Sequence, residues 1–300
     1  MNSLFYQPKK GFTMKLNRIV AGIAAVTISA TGLVACSDSE GGDGPIRVGT
    51  TDANLREWDV FADLAEEKGI DIEIVAFSDY NTPNDALAQG EIDVNKFQHL
   101  KFLSGYNAGA DEDLEAISAT EIYPLALFWQ DHDSLDGIEG ENVAIPNDAT
   151  NQGRAINVLV QAGLVTLREE GLVDPTPADI DTAASKVEVT PIDAAQTTTV
   201  FREGTPAIIN NSFLERAGID PDAAIFQDDP SNEQAEPYIN VWVTTPEKAG
   251  DERINELAEL WKDPSVKEAV LESSGGTAVS VDRSKDELKA IQDRLEAEEK

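Results

Sequence analysis

Arg154 is the residue of this chain whose type and surroundings best suit the binding of a small anion. It lies at the start of a helix that the spacing of apolar residues predicts over 151–162, with Gly163 ending it. A guanidinium keeps its charge, and its planar fork matches both oxygens of a carboxylate. The free N–H groups in the first turn of a helix also favour an anion. By spacing alone, a surface arginine paired with one of the many acids is the simpler explanation.

Side chains that perform catalysis are scarce in this sequence. The chain has one cysteine and two histidines, His99 and His132, which are too few for a multi-histidine zinc site. Asp131 and Asp133 flank His132, but a polar loop explains this trio better than a metal site. The chain contains no Gly-x-Ser-x-Gly nucleophile motif, phosphate-binding glycine loop or calcium loop. We therefore expect neither an enzyme nor a bound metal or cofactor.

The single cysteine, Cys36, ends an apolar segment near the start of the chain. Lys15 and Arg18 precede the apolar run 19–35, which closes with Leu-Val-Ala. This order is typical of a secretory signal peptide. Its end resembles the lipobox of bacterial lipoproteins, in which the cysteine is acylated and becomes the mature N-terminus. We expect a protein anchored by palmitate and further acyl chains at the extracytoplasmic face of the cell membrane. A transmembrane helix is disfavoured because the run is short and a polar, glycine-rich tether follows it.

The charge of the chain restricts its partners. It holds 56 acidic and 23 basic residues, a net charge of −33, and the segment before Cys36 contributes four bases and no acid. The mature protein is therefore more negative still. Such a charge repels nucleic acids and anionic lipid headgroups, so we expect no nucleic-acid partner.

Short apolar strands alternate with amphipathic helices after residue 45, a pattern that predicts a largely parallel α/β sheet with helices on both faces. The predicted strands cover 46–49, 70–77, 92–97, 114–118, 122–129, 143–146, 187–189, 207–210 and 237–243. The predicted domains are an upstream extension and signal peptide at 1–35, a flexible tether at 36–44, one lobe at 45–128 plus 240–280, a second lobe at 129–239, and a charged C-terminal tail at 281–300.

Three stretches of the chain resemble the NlpA family of methionine-binding lipoproteins, which are the substrate-binding proteins of ABC importers. The first runs from Phe77 to His99 and includes SDYNTPNDAL and IDVNKFQH. The second is VAIPNDATNQGRA at 143–155. The third couples AIIN at 207–210 with PYIN at 237–240. Their order and spacing match the family from about residue 46 to 280.

The resemblance implies a two-lobed periplasmic-binding-protein-like α/β fold with a ligand cleft between the lobes. It also implies capture of L-methionine, or a close analogue, for an ABC transporter permease. Arg154 would bind the ligand carboxylate, aromatic side chains would surround the thioether, and two asparagines would hold the amino and carboxylate groups. The ligand-binding residues implied in this way are Tyr80, Phe97, His99, Phe102, Arg154, Asn210 and Asn240.

Two departures from the family pattern lie close to the expected ligand. Phe102 stands where relatives usually have a tyrosine, and Thr50 to Leu55 replaces a loop that is usually rich in proline and glycine. Another apolar amino acid, the other stereoisomer or a small peptide is therefore an open alternative. A lipid-anchored hydrolase and a passive surface antigen are the alternatives from other functional classes.

Overall fold

The structure is a computed structural model that describes residues 44–299. The predicted signal segment, the predicted acylation site Cys36 and most of the predicted tether lie outside the described residues. No helix within the described range is long and apolar enough to cross a membrane.

Strands and helices alternate through most of the described chain. The strands are β1 (Ile46–Thr50), β2 (Ile72–Ala76), β3 (Val94–His99), β4 (Glu115–Ala119), β5 (Glu121–Ile122), β6 (Ala126–Phe128), β7 (Asn142–Pro146), β8 (Glu188–Ile192), β9 (Ala207–Ile209), β10 (Phe226–Gln227), β11 (Asn240–Thr244) and β12 (Val279–Ser280). The helices are α1 (Arg56–Glu67), α2 (Pro83–Ala88), α3 (Leu100–Ala110), α4 (Ala149–Gln161), α5 (Thr197–Arg202), α6 (Glu252–Leu260), α7 (Pro264–Ser273) and α8 (Lys285–Glu298).

Two five-stranded sheets form the framework of the molecule. Their strand orders are β2-β1-β3-β11-β4 and β10-β6-β9-β7-β8, and β5 pairs separately with β12. In the first sheet β1 is parallel to β2 and β3, whereas β11 is antiparallel to β3 and β4. In the second sheet β7 is parallel to β8 and β9, whereas β6 is antiparallel to β9 and β10. Four of the five strands in each of these sheets therefore share one direction, and only β11 in the first and β6 in the second run against them, which agrees with the predicted largely parallel α/β arrangement.

Alternating side chains of these strands fill a core on each face of the first sheet. Trp242 of β11 points into one core, whereas its neighbours Val241 and Val243 belong to the other. In the first core Trp242 lies in an aromatic cluster with Trp58, Phe61 and Trp261, whose ring centroids are 4.7–6.0 Å apart. Two buried faces fix the register of β11, and with it the position of Asn240 at the start of the strand.

The register brings two of the predicted site residues together. Asn240 lies opposite His99, the last residue of β3. The predicted strand at 237–243 begins only at residue 240, because Pro237 and Tyr238 belong to a 3₁₀ turn, Glu233–Tyr238. One edge of the first sheet therefore presents His99 and Asn240 side by side.

Two segments are placed differently from the sequence expectation. Ala126–Phe128, which we assigned to the first lobe, is β6 and hydrogen-bonds to β9 in the second sheet. The charged C-terminal segment forms α8, which buries Leu288, Ile291 and Leu295 in the core of the first sheet. The spacing of these three apolar residues is the sequence signal for that packing.

Candidate ligand-binding cleft

A cleft of about 450 Å³, its open mouth included, lies where residues of the two sheets face each other. All seven residues predicted for the site line it, together with seven others. The lining comprises Tyr80, Phe97, Gln98, His99, Phe102, Tyr123, Pro124, Leu125, Asn151, Arg154, Asn210, Asn211, Ser212 and Asn240.

One wall of the cleft is aromatic. The ring centroids of Tyr80, Phe97 and Phe102 are 5.8–6.0 Å from one another. Phe213, from the segment that follows β9, packs against Tyr80 with its centroid 4.8 Å away. Burial raises the pKa of Tyr80, so its hydroxyl is uncharged. Such a wall suits an apolar or thioether side chain.

His99 is a neutral link between the two sheets. Its Nδ1 accepts a hydrogen bond from the backbone N–H of Phe102 (3.0 Å), which caps α3. The proton therefore resides on Nε2, which faces Oδ1 of Asn151 at 3.4 Å. Burial and the nearby charge of Arg154 lower the pKa of His99 to about 3. The imidazole is thus uncharged at any physiological pH.

The guanidinium of Arg154 is held on two of its three nitrogens. Nε donates to Oδ2 of Asp228 (2.7 Å), and Nη2 donates to Oδ1 of Asp228 (3.2 Å) and to the carbonyl of Tyr123 (2.8 Å). The group also stacks over the ring of Tyr238, with Cζ 4.1 Å from the centroid. Nη1 makes no hydrogen bond to any described residue, so it is the nitrogen available to a ligand.

The position of Arg154 differs from the prediction in two ways. The helix α4 begins at Ala149, and its N-cap is Asp148, whose carboxylate accepts from the N–H of Asn151 (2.9 Å). Arg154 is therefore in the second turn, and the predicted contribution of first-turn N–H groups does not apply to it. Its fork is already paired with Asp228, so it cannot bind both oxygens of a ligand carboxylate through Nε and Nη2.

Asn210 presents an unpaired acceptor to the cleft. Its Nδ2 donates to Oδ1 of Asn151 (3.0 Å), and Nδ2 of Asn151 donates in turn to Asp148 (3.0 Å). These bonds fix the orientation of both amides. Oδ1 of Asn210 is buried and has no partner within residues 44–299. A buried acceptor without a donor costs about 1–3 kcal/mol, so this oxygen favours a ligand that donates to it.

Asn240 is held mainly through its backbone. Its carbonyl accepts from the N–H and the hydroxyl of Thr120 at 2.9 and 3.1 Å. Its side-chain amide makes a single long hydrogen bond to a described residue, from Nδ2 to the carbonyl of Tyr238 (3.5 Å). The described residues therefore leave most of the hydrogen-bonding capacity of this side chain unused.

Seven lining residues were missed by the sequence analysis, and their signals differ. Gln98 and Asn151 lie within the stretches that carry the family resemblance, but nothing in their spacing distinguished them. Tyr123, Pro124 and Leu125 connect the two sheets, and no sequence pattern marks that connection. Asn211 and Ser212 follow Asn210 directly, so adjacency to a predicted residue was the available clue.

The loop at Asp131 to Asp133 is an exposed turn. His132 stacks on Trp129, with the ring centroids 3.3 Å apart, and its Nδ1 bonds the carbonyl of Gln130 (2.8 Å). Within the described part of the chain, no group of three or more His, Cys, Asp or Glu side chains is arranged to hold a metal ion.

Comparison with known proteins identifies the family. The sequence profile of the NlpA lipoproteins matches residues 46–281. The chain belongs to the NlpA lipoprotein family. This membership confirms the resemblance seen in the three sequence stretches and the two-lobed α/β fold, and members of the family are solute-binding proteins.

Three relatives illustrate the similarity. The probable D-methionine-binding lipoprotein MetQ of Vibrio cholerae is 30% identical over 272 residues, covering 89% of this chain and 98% of that protein. The substrate-binding protein of a methionine transporter from Streptococcus pneumoniae superposes with a TM-score of 0.72 at 29% identity, covering 79% and 95%. A nutrient-binding protein from Burkholderia cenocepacia, solved bound to methionine, has a TM-score of 0.72 at 26% identity, covering 78% and 99%.

Proposed function

We propose that this protein is a lipid-anchored, extracytoplasmic solute-binding protein that captures L-methionine, or a close analogue, for an ABC importer. The observation that carries this proposal is the set of groups facing one cleft. Arg154 and Asn210 line it beside an aromatic wall, and each keeps one polar atom, Nη1 and Oδ1 respectively, without a partner among the described residues.

The polar groups complement a free amino acid. Nη1 of Arg154 is a charged donor for one oxygen of the ligand carboxylate. Oδ1 of Asn210 is an acceptor for the ammonium group, and the amide of Asn240 can bond either group. A cleft desolvates a zwitterion at low cost only when each charged group finds such a partner.

The aromatic wall sets the preference for the side chain. Tyr80, Phe97 and Phe102 offer ring faces and edges to a thioether, at roughly 0.3–1.5 kcal/mol per sulfur–aromatic contact. Burial of the apolar side chain adds about 1.5–3 kcal/mol. The burial term favours any apolar side chain that fits the wall. The sulfur–aromatic term adds to it only for a thioether such as methionine.

Ligand capture would couple to movement of the two sheets. A ligand that contacts residues of both, such as Phe97 and Asn210, stabilises the closed arrangement because it binds that arrangement more tightly. The permease would then recognise the closed, loaded form.

The ligand is identified by mass spectrometry of the small molecules released on denaturing the purified domain. Calorimetry then follows with both isomers of methionine, other apolar amino acids and short peptides. We expect L-methionine to bind most tightly and to be recovered unchanged after incubation. Tighter binding of D-methionine, leucine or a dipeptide would redirect the assignment, and turnover of any bound compound would favour an enzyme.

Arg154→Ala tests the carboxylate contact. We expect a loss of affinity of at least about 100-fold, because the variant removes a charged hydrogen bond and leaves Asp228 buried without its partner. The matched control is Arg168→Ala, at an exposed arginine of the same half of the chain that bonds only the carbonyl of Ala178. Equal affinities of the two variants would refute the role of Arg154.

Membrane attachment is tested with Cys36→Ser in the full chain. We expect the wild-type protein in the membrane fraction and the variant, which has no thiol to acylate, in the soluble extracytoplasmic fraction. Wild-type protein that is soluble outside the cell would overturn the anchor without affecting the ligand.

A further inference from the structure

Asp228 holds the guanidinium of Arg154 without lining the cleft. It lies directly after β10, and both of its carboxylate oxygens accept from Arg154. The two side chains are nearly buried, with 7% of Arg154 and 14% of Asp228 exposed. Asp228 instead lines an outer groove, which Arg154 and Tyr238 also line.

Asp228 is itself fixed to the other connection between the sheets. Its Oδ1 accepts from the N–H of Leu125 (2.8 Å), and its own N–H donates to the carbonyl of Leu125 (3.2 Å). The chain passes from the first sheet to the second through Tyr123–Leu125 and returns through residues 228–239. Arg154 therefore contacts both connections, through Tyr123 on one and through Asp228 and Tyr238 on the other.

We propose that Asp228 is a positioning residue that directs Nη1 of Arg154 into the cleft and, by compensating the arginine charge, makes the site selective for ligands without net charge. This inference rests on the proposed function, because it concerns the ligand that Arg154 binds. It assigns to Asp228 a role in selectivity rather than a contact with the ligand.

The charges around the cleft support this assignment. His99 is neutral, and the positive charge of Arg154 is matched by the negative charge of Asp228 at hydrogen-bond distance. Lys101 is paired with Asp174, and the carboxyl group of Asp148, whose pKa is raised by burial, accepts from the lining residue Asn151 and offers no positive charge to a ligand. A zwitterionic amino acid adds no net charge to this arrangement. An anion of the same shape leaves one negative charge uncompensated in a nearly buried site, and such a charge is costly.

The test compares two ligands that differ in one group. The first is L-methionine, and the second is 2-hydroxy-4-(methylthio)butanoate, in which a hydroxyl replaces the ammonium and leaves a net charge of minus one. Calorimetry on the wild-type protein and Asp228→Asn gives the ratio of the two dissociation constants. We expect the variant to bind methionine at least about tenfold more weakly and to shift this ratio by at least about fivefold in favour of the anion.

Two further variants separate this role from a structural one. Asp229→Asn makes the same charge change at the neighbouring exposed carboxylate, which bonds Ser231 and not Arg154. It should leave both affinities unchanged. Asp228→Glu retains the charge but displaces the carboxylate, so it should weaken both ligands and keep the wild-type ratio. If Asp228→Asn weakens both ligands equally, or fails to fold while Asp228→Glu changes the ratio, the charge role is wrong.

A measurement without ligand tests the orientation itself. The Nε–H proton of Arg154, assigned by its loss in Arg154→Lys, should exchange slowly with water in the wild type and at least about tenfold faster in Asp228→Asn. Equal exchange rates would overturn the positioning role. If the wild type binds neither ligand, the methionine proposal and the charge preference both fail, whereas the exchange rates still decide whether Asp228 positions Arg154.

Discussion

Glu57 is a fully buried carboxylate in the first turn of α1, far from any role in the proposed binding chemistry. Burial raises its pKa to about 7, and the negative charge of Asp52 adds to this effect while Lys96 opposes it. The same lysine forms a buried ion pair with Glu121 (2.7 Å). Protonation of Glu57 therefore reduces the excess of negative charge around the ammonium group of Lys96.

This proton makes folding stability depend on pH. Because the folded pKa lies above the unfolded value of 4.5, the folded state binds more protons, and the contribution of Glu57 to stability falls as pH rises from 4.5 to 7. We expect Glu57→Gln to gain about 3 kcal/mol relative to the wild type between pH 4.5 and 8. Denaturant unfolding at several pH values measures this difference.

The exposed Glu67 on the same helix supplies the control. Glu67→Gln should give a stability profile parallel to that of the wild type across this pH range. His99 acts with the opposite sign, since its lowered pKa favours folding as pH rises from about 3 to 6.5. It is present in all three proteins and cancels in the comparison. A profile of Glu57→Gln parallel to the wild type would show that Glu57 is ionised when folded.

At the residue level, the resemblance predicted which side chains line the cleft better than how they are bonded. All seven predicted residues lie in its lining. The pairing of Arg154 with Asp228 was not predictable, because 74 positions separate the two residues and the chain offers 56 acids as candidate partners. Asp228 becomes the partner of Arg154 because it lies where the chain leaves β10 and returns to the first sheet.

At the element level, α3 and α4 approach closely across the cleft. A Cβ on Gly105 of α3 would lie 3.3 Å from a methyl group of Thr150, and a Cβ on Gly153 of α4 would lie 3.1 Å from Cα of Asp174. Because Gly153 has no side chain, the loop at Asp174 can lie close to α4. The carboxylate of Asp174 there pairs with the ammonium of Lys101, whose side chain is 4% exposed. This ion pair joins an element of the first sheet to a loop of the second.

The Lys101–Asp174 pair should stabilise the closed arrangement of the cleft. In an open arrangement the ammonium would regain water, so loss of the carboxylate penalises only the closed form. We expect Asp174→Asn to weaken methionine binding by about 1.5-fold to fivefold, the range of a partly exposed ion pair. Calorimetry measures the change, with Glu170→Gln in the same loop as the control for charge. Identical affinities of the two variants would show that the pair does not contribute to closure.

Local sequence signals located most elements but not their partners. An aspartate followed by a proline, as at Asp263 and Pro264, is a local signal for a helix start, and here the Asp263 carboxylate caps the N–H of Ser265 (2.9 Å) at the start of α7. By contrast, β6 is a three-residue strand whose apolar residues suit either sheet. Its pairing with β9 was decided by long-range contacts that local periodicity does not encode.

At the scale of the whole molecule, the acidic residues that give the net charge of −33 and the apolar residues of the cores have different roles. The acids keep the surface solvated and repel the phosphates of nucleic acid. The apolar residues form two cores on the first sheet and two on the second. The cleft lies where both sheets contribute residues, so its formation depends on both sheets rather than on either alone.

The amino-acid sequence by itself determined the alternation of strands and helices, because that depends on local patterns. Its resemblance to the NlpA family predicted seven residues that the structure places in the lining of the cleft. The tertiary structure decided which nitrogen of Arg154 is available, which sheet receives β6, and where α8 packs. Those outcomes depend on contacts between residues distant in the chain, and many sequences with the same local pattern permit other pairings.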